Sequence, residues 1–301
     1  MKRRPPLRRN TVPTPAVTAA TTTVDTGIVE ARSEWADARS RFLGNKAAVF
    51  GLCILAIVLV FAVFGQLIAG WTQAGEAQSG VGRGGALGRD LIAQSAQGIR
   101  MSLTVGILGT LIAVVVGTLW GTMAGYNGGR TDRVMMRIVE VLMSIPFALL
   151  LILALVILGW PTLVLVIGIG LISWFDLARA VRAQTVLIKN KEFVEAAIAT
   201  GVSDRMILKR HIIPNLLGVV IVYASLLVPT IIVLEGFIGF LGLGAEAPNA
   251  SLGAVISAGT GQIQSGAWWP LVLPLSCFIA TISAFYLIGD GLRDALDPEG
   301  R

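Results

Sequence analysis

Few side chains in this sequence could do covalent or acid–base chemistry, and their spacing argues against an enzyme. The one histidine, His211, follows Lys209 and Arg210 at the edge of an apolar run, with no serine or cysteine nucleophile at a recognisable spacing. A histidine in that setting reads as interfacial. Cys53 and Cys277 lie inside apolar runs with no C-x-x-C or histidine cluster beside them, so they read as small hydrophobes rather than redox or metal-binding groups. The glycine-rich GVGRGGALG (80–88) lacks the G-K-[ST] that lets a phosphate loop hold a nucleotide. What does stand out is EFVEAAIATGVSDRMILKRHIIPN (192–215), a charged segment between two of the most apolar stretches of the chain.

The elements around that segment must be lipid-soluble. Apolar residues make up 54% of the 301 and charged residues 14%, whereas a soluble globule carries about 25% charged residues. Mean hydropathy is +0.77. Apolar runs long enough for a ~30 Å hydrocarbon core fall at 47–70, 101–125, 134–159, 161–180, 212–235 and 268–289, so six spanning helices of an all-α membrane protein are expected. The first begins too late to be a short signal peptide.

Residues 1–32, rich in Pro, Thr, Ala and Arg, are expected to form a disordered arm. The stretch 33–46 sets Trp35, Phe42 and Leu43 among charges, as in a short interfacial helix; a plain juxtamembrane linker is the alternative. Residues 71–100 are expected as an external loop, 101–290 as the core of the protein, including a cytoplasmic loop at 190–212, and 291–301 as a tail.

Lys and Arg crowd the N-terminal arm, the 126–138 loop (Arg130, Arg133, Arg137) and the opening segment with its flanks (Arg179 to Arg210), while 236–267 has neither. That asymmetry places both termini and the 192–215 segment in the cytoplasm. The net charge of +6 is then topogenic, and KRRPPLRR, followed by no folded basic module, does not point to nucleic acid.

Within the spans, Gly117, Gly121 and Gly125 repeat at a four-residue interval that lets one helix face approach a neighbour's backbone. Pro146 and Pro229 each free a backbone carbonyl, so each is expected to face protein or a cavity. The span centres hold no Asp, Glu, Lys, Arg or His; Glu140, Asp176, Arg179, Glu235 and Asp290 fall near span ends. A proton- or sodium-coupled carrier needs ionisable or unwound ion sites near the midplane, so the driving force is expected from elsewhere.

Read locally, 192–200 is a short helix with Glu192 and Glu195 in its first turns, where they complement the macrodipole. Ala196, Ala197 and Ala199 leave its surface close to bare backbone. Gly201 is placed to end it in a left-handed conformation, and Ser203 with Asp204 to cap a second helix running to Pro214. Such a helical knuckle, with a small-residue face, suits a groove on another protein. No substrate-binding residue can be assigned.

These residues carry a resemblance. EAA (195–197), Gly201 and Ile213-Pro214 resemble the EAA loop of the permease subunits of ABC importers, and RHIIPN (210–215) is similar to the form in the dipeptide, oligopeptide and nickel branch. LGRD (87–90), GYNGGRTDRVMMRIVEVLMSIP (125–146), GFLGLG (239–244) and LIGDGLRDALDP (287–298) resemble the C-type permease of that branch in the same order. The chain departs from it at Arg83, Gly84 and Gly85, where the family has G-T-D, and at Ser251, Leu252 and Gly253, where it has Ser-Trp-Gly.

The resemblance implies a type I importer permease fold in a bacterial cytoplasmic membrane, in contact with lipid, and a non-enzyme subunit. Its implied partners are a homologous second permease, two ATPases that bind ATP and Mg and dock on the 192–212 knuckle, and an external substrate-binding protein that delivers peptides; no cofactor is expected in this chain. A non-peptide cargo such as nickel, glutathione or a sugar is the alternative on the same fold, and a secondary carrier or membrane enzyme is the reading outside it.

Overall fold

The computed structural model describes residues 34–76, 84–158, 162–244, 250–263 and 266–296; the expected N-terminal arm and the last residues of the tail lie outside them. All regular structure among the described residues is helical. A short α1 (Glu34–Gly44) leads into α2 (Lys46–Glu76), followed by α3 (Gly84–Asn127), α4 (Gly129–Met143), α5 (Phe147–Leu158) and α6 (Thr162–Lys189). Then come the short α7 (Glu192–Ala199) and α8 (Asp204–Ile207), a π-helical turn (Leu208–Ile212), α9 (Ile213–Phe240), α10 (Leu252–Ile263) and α11 (Trp269–Leu296). Among the described residues five helices are long and apolar enough to cross a membrane, and there are six spans if the bent pair α4–α5 is counted as one.

The packing is built on the α3–α6 pair. A Cβ at Gly117 would meet the Trp174 carbonyl oxygen at 2.9 Å, one at Gly121 the Ala178 oxygen at 2.4 Å, and one at Gly125 the Arg182 oxygen at 2.8 Å. The stripe continues through fully buried Ala113 to Gly109, whose carbonyl stands 3.0 Å from where a Cβ of Gly170 would be. Only small residues permit this backbone approach, and in lipid close packing is what holds two helices together. Next to this pair α9 packs on α3, α6 and α11, and α11 packs in turn on α2. Ile57, 69% exposed, and its neighbours on α2 face outward, as side chains of equal greasiness to lipid can.

Several boundaries differ from the sequence expectation. The third span is not one helix: α4 and α5 meet at 66°, with Ser144 and Ile145 turning back onto Glu140, Val141 and Leu142 before Pro146. Proline has no N–H to continue the ladder, and its ring excludes the residue before it from the helical region, so the helix breaks rather than bends. Pro146 is exposed on the single chain, whereas Pro229 is buried within α9. Residues 71–76 and 84–100, expected as loop, are helical extensions of α2 and α3, and α6 runs past its expected end to Lys189. The 236–267 stretch contains the apolar helix α10, too short to span.

At the entry to the first span α1 lies against α11 and α2, as a helix rather than a linker. Asn45 caps α2, its Oδ1 accepting from the N–H groups of Ala47 (3.0 Å) and Ala48 (3.3 Å), while its amide donates to Asp294 of α11 at 3.2 Å.

Candidate functional site

The knuckle stands where α3 and α6 end and α9 begins. After α6, Lys191 takes an extended conformation, and its carbonyl receives the N–H groups of Val194 (2.9 Å) and Glu195 (3.2 Å), starting α7 with Glu192 and Glu195 in the first turn. The exit is a left-handed glycine cap. Gly201 has φ +79°, its N–H bonds to the Ile198 carbonyl at 3.0 Å, and the Val202 N–H reaches back to Ala197 at 3.1 Å. This paired closure satisfies the carbonyls left over at the helix end, and Val202 and Ala197 pack together on the apolar base below.

The second half of the knuckle differs from expectation. Ser203 is extended and starts α8 through its backbone carbonyl, which Met206 and Ile207 approach at 2.9 and 3.0 Å; neither its hydroxyl nor the Asp204 carboxylate caps the helix. Nor does this helix end at Pro214. It passes through the π turn into α9, so 204–240 is one continuous rod. Pro214 cannot donate to the carbonyl four residues back and its ring would crowd it; the wider π turn just before it provides that room.

Underneath, Val194, Ile207 and Ile212 are fully buried against Leu177, Val181 and Ile188 of α6 and Leu216 of α9. The outward face of α7 is Glu192, Phe193, Glu195, Ala196, Ile198 and Ala199, all exposed. Ala197, expected on that small-residue face, is half-buried instead: it lies three residues from Val194, on the helix face turned to the base. His211 stacks loosely near Phe193, ring centroids 6.1 Å apart.

Tyr126, in the last turn of α3, ties the knuckle to the bundle. Its hydroxyl donates to Asp204 Oδ1 at 2.6 Å, and its carbonyl accepts from Lys189 Nζ at 2.6 Å, with that ammonium 5.2 Å from the ring centroid. Arg182 of α6 grips Asp132 of α4 with two N–H donors, Nε to Oδ1 at 2.9 Å. The adjoining groove of about 640 Å³ is lined by Arg133, Arg137, Glu140 and Arg179 as well, but Arg137 pairs with Glu140 at 3.0 Å and Arg179 with Asp176 at 2.5 Å, leaving little unneutralised charge.

At the opposite end of the bundle a second polar cluster was missed in the sequence. Glu235, only 1% exposed, accepts from Ser102 of α3 at 2.7 Å and has the Ser251 hydroxyl as its other partner. The spacing of three such residues along the chain carried no sign of it. Next to it Gly253 lies so close to α9 that a Cβ would sit 1.9 Å from the Gly236 carbonyl oxygen. No group of three or more His, Cys, Asp or Glu among the described residues could hold a metal ion.

The chain as a whole has counterparts among known proteins. Residues 117–301 match the family described as binding-protein-dependent transport system inner membrane component, and residues 33–80 match the N-terminal TM domain of oligopeptide transport permease C. The chain belongs to the first of these families. This permease is 46% identical to the oligopeptide transport system permease protein OppC of Haemophilus influenzae over 284 residues, 91% of each chain. It is 39% identical to the dipeptide transport system permease protein DppC of Bacillus subtilis, over 88% of this chain and 86% of that one. Among solved structures it is similar to a chain of the MetNI methionine ABC transporter in an inward-facing conformation, with TM-score 0.55 and 20% identity over 66% of the permease and 94% of that chain. That likeness is one of fold. The permease is thus a multi-pass component of an inner membrane, and the knuckle falls within the matched region.

Proposed function

We propose that the permease forms half of a peptide-conducting pore, paired across a pseudo-two-fold axis with a homologous second permease. An external substrate-binding protein delivers di- or oligopeptides, and two ABC ATPases, which hold the ATP and Mg, dock on the knuckle. The knuckle end faces the cytoplasm and both termini are inside. Relatives named for oligopeptide and dipeptide transport support the cargo. The Lys/Arg asymmetry supports the orientation.

The observation that carries the reading is the outward face of α7. Phe193 and Ile198, 42% and 48% exposed, stand beside two small alanines and two carboxylates on a helix whose other face is firmly seated. A short helix with a buried back and an apolar, charge-rimmed front fits a partner's groove. ATP-driven closure of the ATPases would move the knuckle, and the rod 204–240 would carry that movement into the pore. A partner can bias such an equilibrium only through contacts that differ between its states, and this face is where they would be made.

The test is uptake of labelled peptides by proteoliposomes containing both permeases, the ATPases and the binding protein. ATP-dependent accumulation is expected; import of a non-peptide cargo alone would overturn the cargo assignment. For orientation, a cysteine at position 203 should react with an impermeant reagent only after the cells are permeabilised, and one at 250 from outside. Labelling of 203 in intact cells would reverse it.

A further inference from the structure

We propose that the Tyr126 hydroxyl is a positioning group of the transport cycle, the latch through which movement of the knuckle reaches α3 and α6. The inference rests on the reading of the knuckle as the ATPase-docking element and deepens it.

Among the described residues, Tyr126 to Asp204 is the one side-chain hydrogen bond from the knuckle to another span. The remaining contacts underneath, Val194, Ile207 and Ile212 on their neighbours, are apolar. Apolar contact is non-directional, so it keeps the knuckle seated but can slip to a neighbouring packing arrangement under a sideways pull. A hydroxyl-to-carboxylate bond at 2.6 Å is short, directional and charge-assisted.

Its placement matters as much as its strength. Asp204 opens the rod that becomes α9, and Tyr126 sits one residue before the end of α3. Lys189, at the last residue of α6, clasps the Tyr126 carbonyl at 2.6 Å and lies over its ring. Three helix ends therefore meet at one side chain. Beyond it, Gly125 and Gly121 hold α3 against α6 backbone to backbone, so a displacement imposed on Tyr126 moves that pair as one body. Without the hydroxyl the rod would still rest on α3 and α6 through apolar packing, but its first residue would have no directional tie to either.

The experiment uses the complete reconstituted complex and reads ATP hydrolysed per molecule of cargo imported, alongside ATPase retention on purification. Tyr126→Phe keeps the ring under Lys189 and removes only the hydroxyl. Wild-type ATPase retention with about a fivefold rise in ATP per cargo is expected. Asp204→Ala, at an exposed position, should produce the same rise from the other side of the bond, Asp204→Asn should stay close to wild type because it retains an oxygen acceptor, and the Tyr126→Phe/Asp204→Ala pair should be no worse than either alone. An unchanged ratio in the single variants, or two effects that multiply in the pair, would overturn the latch. Ala196→Trp, on the outward face, reads docking separately: if it keeps its ATPases, the docking reading and the latch both fall, whereas lost ATPases with an unchanged ratio in Tyr126→Phe would remove the latch alone.

Discussion

The two ends of the bundle are joined by different means. At the far end, α9 and α10 meet backbone on backbone at Gly236 and Gly253, and a buried Glu235 holds Ser102 and Ser251. At the knuckle end, α7 and α8 rest on branched apolar side chains, and Asp204 at the start of α8 ties them to Tyr126. Backbone contact has no side chain to repack, so the far end can move only as a block. A seat of valine and isoleucine side chains with a single directional tie can shift and re-form. The comparison teaches where this permease is stiff and where its packing can yield.

The contrast is broken most forcefully at Gly253. A methyl there meets the Gly236 carbonyl far inside contact distance, so Gly253→Ala should lower stability by roughly 3 kcal/mol, at the upper end of overpacking effects, read as a lower melting temperature in detergent. If Gly253→Ala melts like wild type, α10 is not locked to α9. Glu235→Ala should come next, at about 2 kcal/mol, because it strands two hydroxyls, while Glu235→Gln should lose less since its oxygen can still accept. Equal losses in the two variants would mean that the carboxylate itself, rather than an oxygen acceptor on a side chain of the same volume, is what this position requires.

The knuckle should respond in function more than in stability. Gly201→Val forces a β-branched residue into φ +79°, about 1 kcal/mol or more of local strain, and should weaken ATPase retention with the membrane fold's melting unchanged. A global loss of stability would show the knuckle to be part of the core. The smallest effect is expected at Arg182→Ala: its side chain is 39% exposed, so the pair with Asp132 should contribute at most about 1 kcal/mol. A larger loss would make the α4–α6 junction a third structural centre beside the two ends.

Much of the fold was legible because the terms that decide it are local. Hydropathy over twenty residues sets the spans, and the four-residue recurrence of glycine from Gly117 to Gly125 marks a packing face whatever lies opposite. Gly201 ends α7 because a left-handed turn favours the residue without a Cβ, which is why that turn could be read in advance. Glu192 and Glu195 opening the helix follow from the same local electrostatics. The family resemblance in EAA, GFLGLG and the C-terminal tail then supplied what spacing could not, namely a kind of partner for the knuckle.

The rest depended on residues far apart in the chain. Asp204 looked like a helix cap until the fold brought Tyr126, 78 residues away, within 2.6 Å of it, and a free hydroxyl partner outcompeted the local backbone. Glu235 looked like a span-end carboxylate, yet Ser102, 133 residues earlier, is its partner. Ala197 and Ala196 are the same residue type, side by side, and only the position of the base beneath α7 decides that one packs inward and the other faces out. By itself the sequence determined which segments are lipid-soluble and that the chain turns at Gly201, since each follows from a residue's own backbone and its near neighbours. The helical stretches at 71–76 and 84–100 and helix α10 were not legible in it. Tertiary structure alone decided which faces meet, which polar groups pair and the 66° angle at which α5 leaves the break at Pro146, because those energies belong to pairs whose distance the chain order does not set.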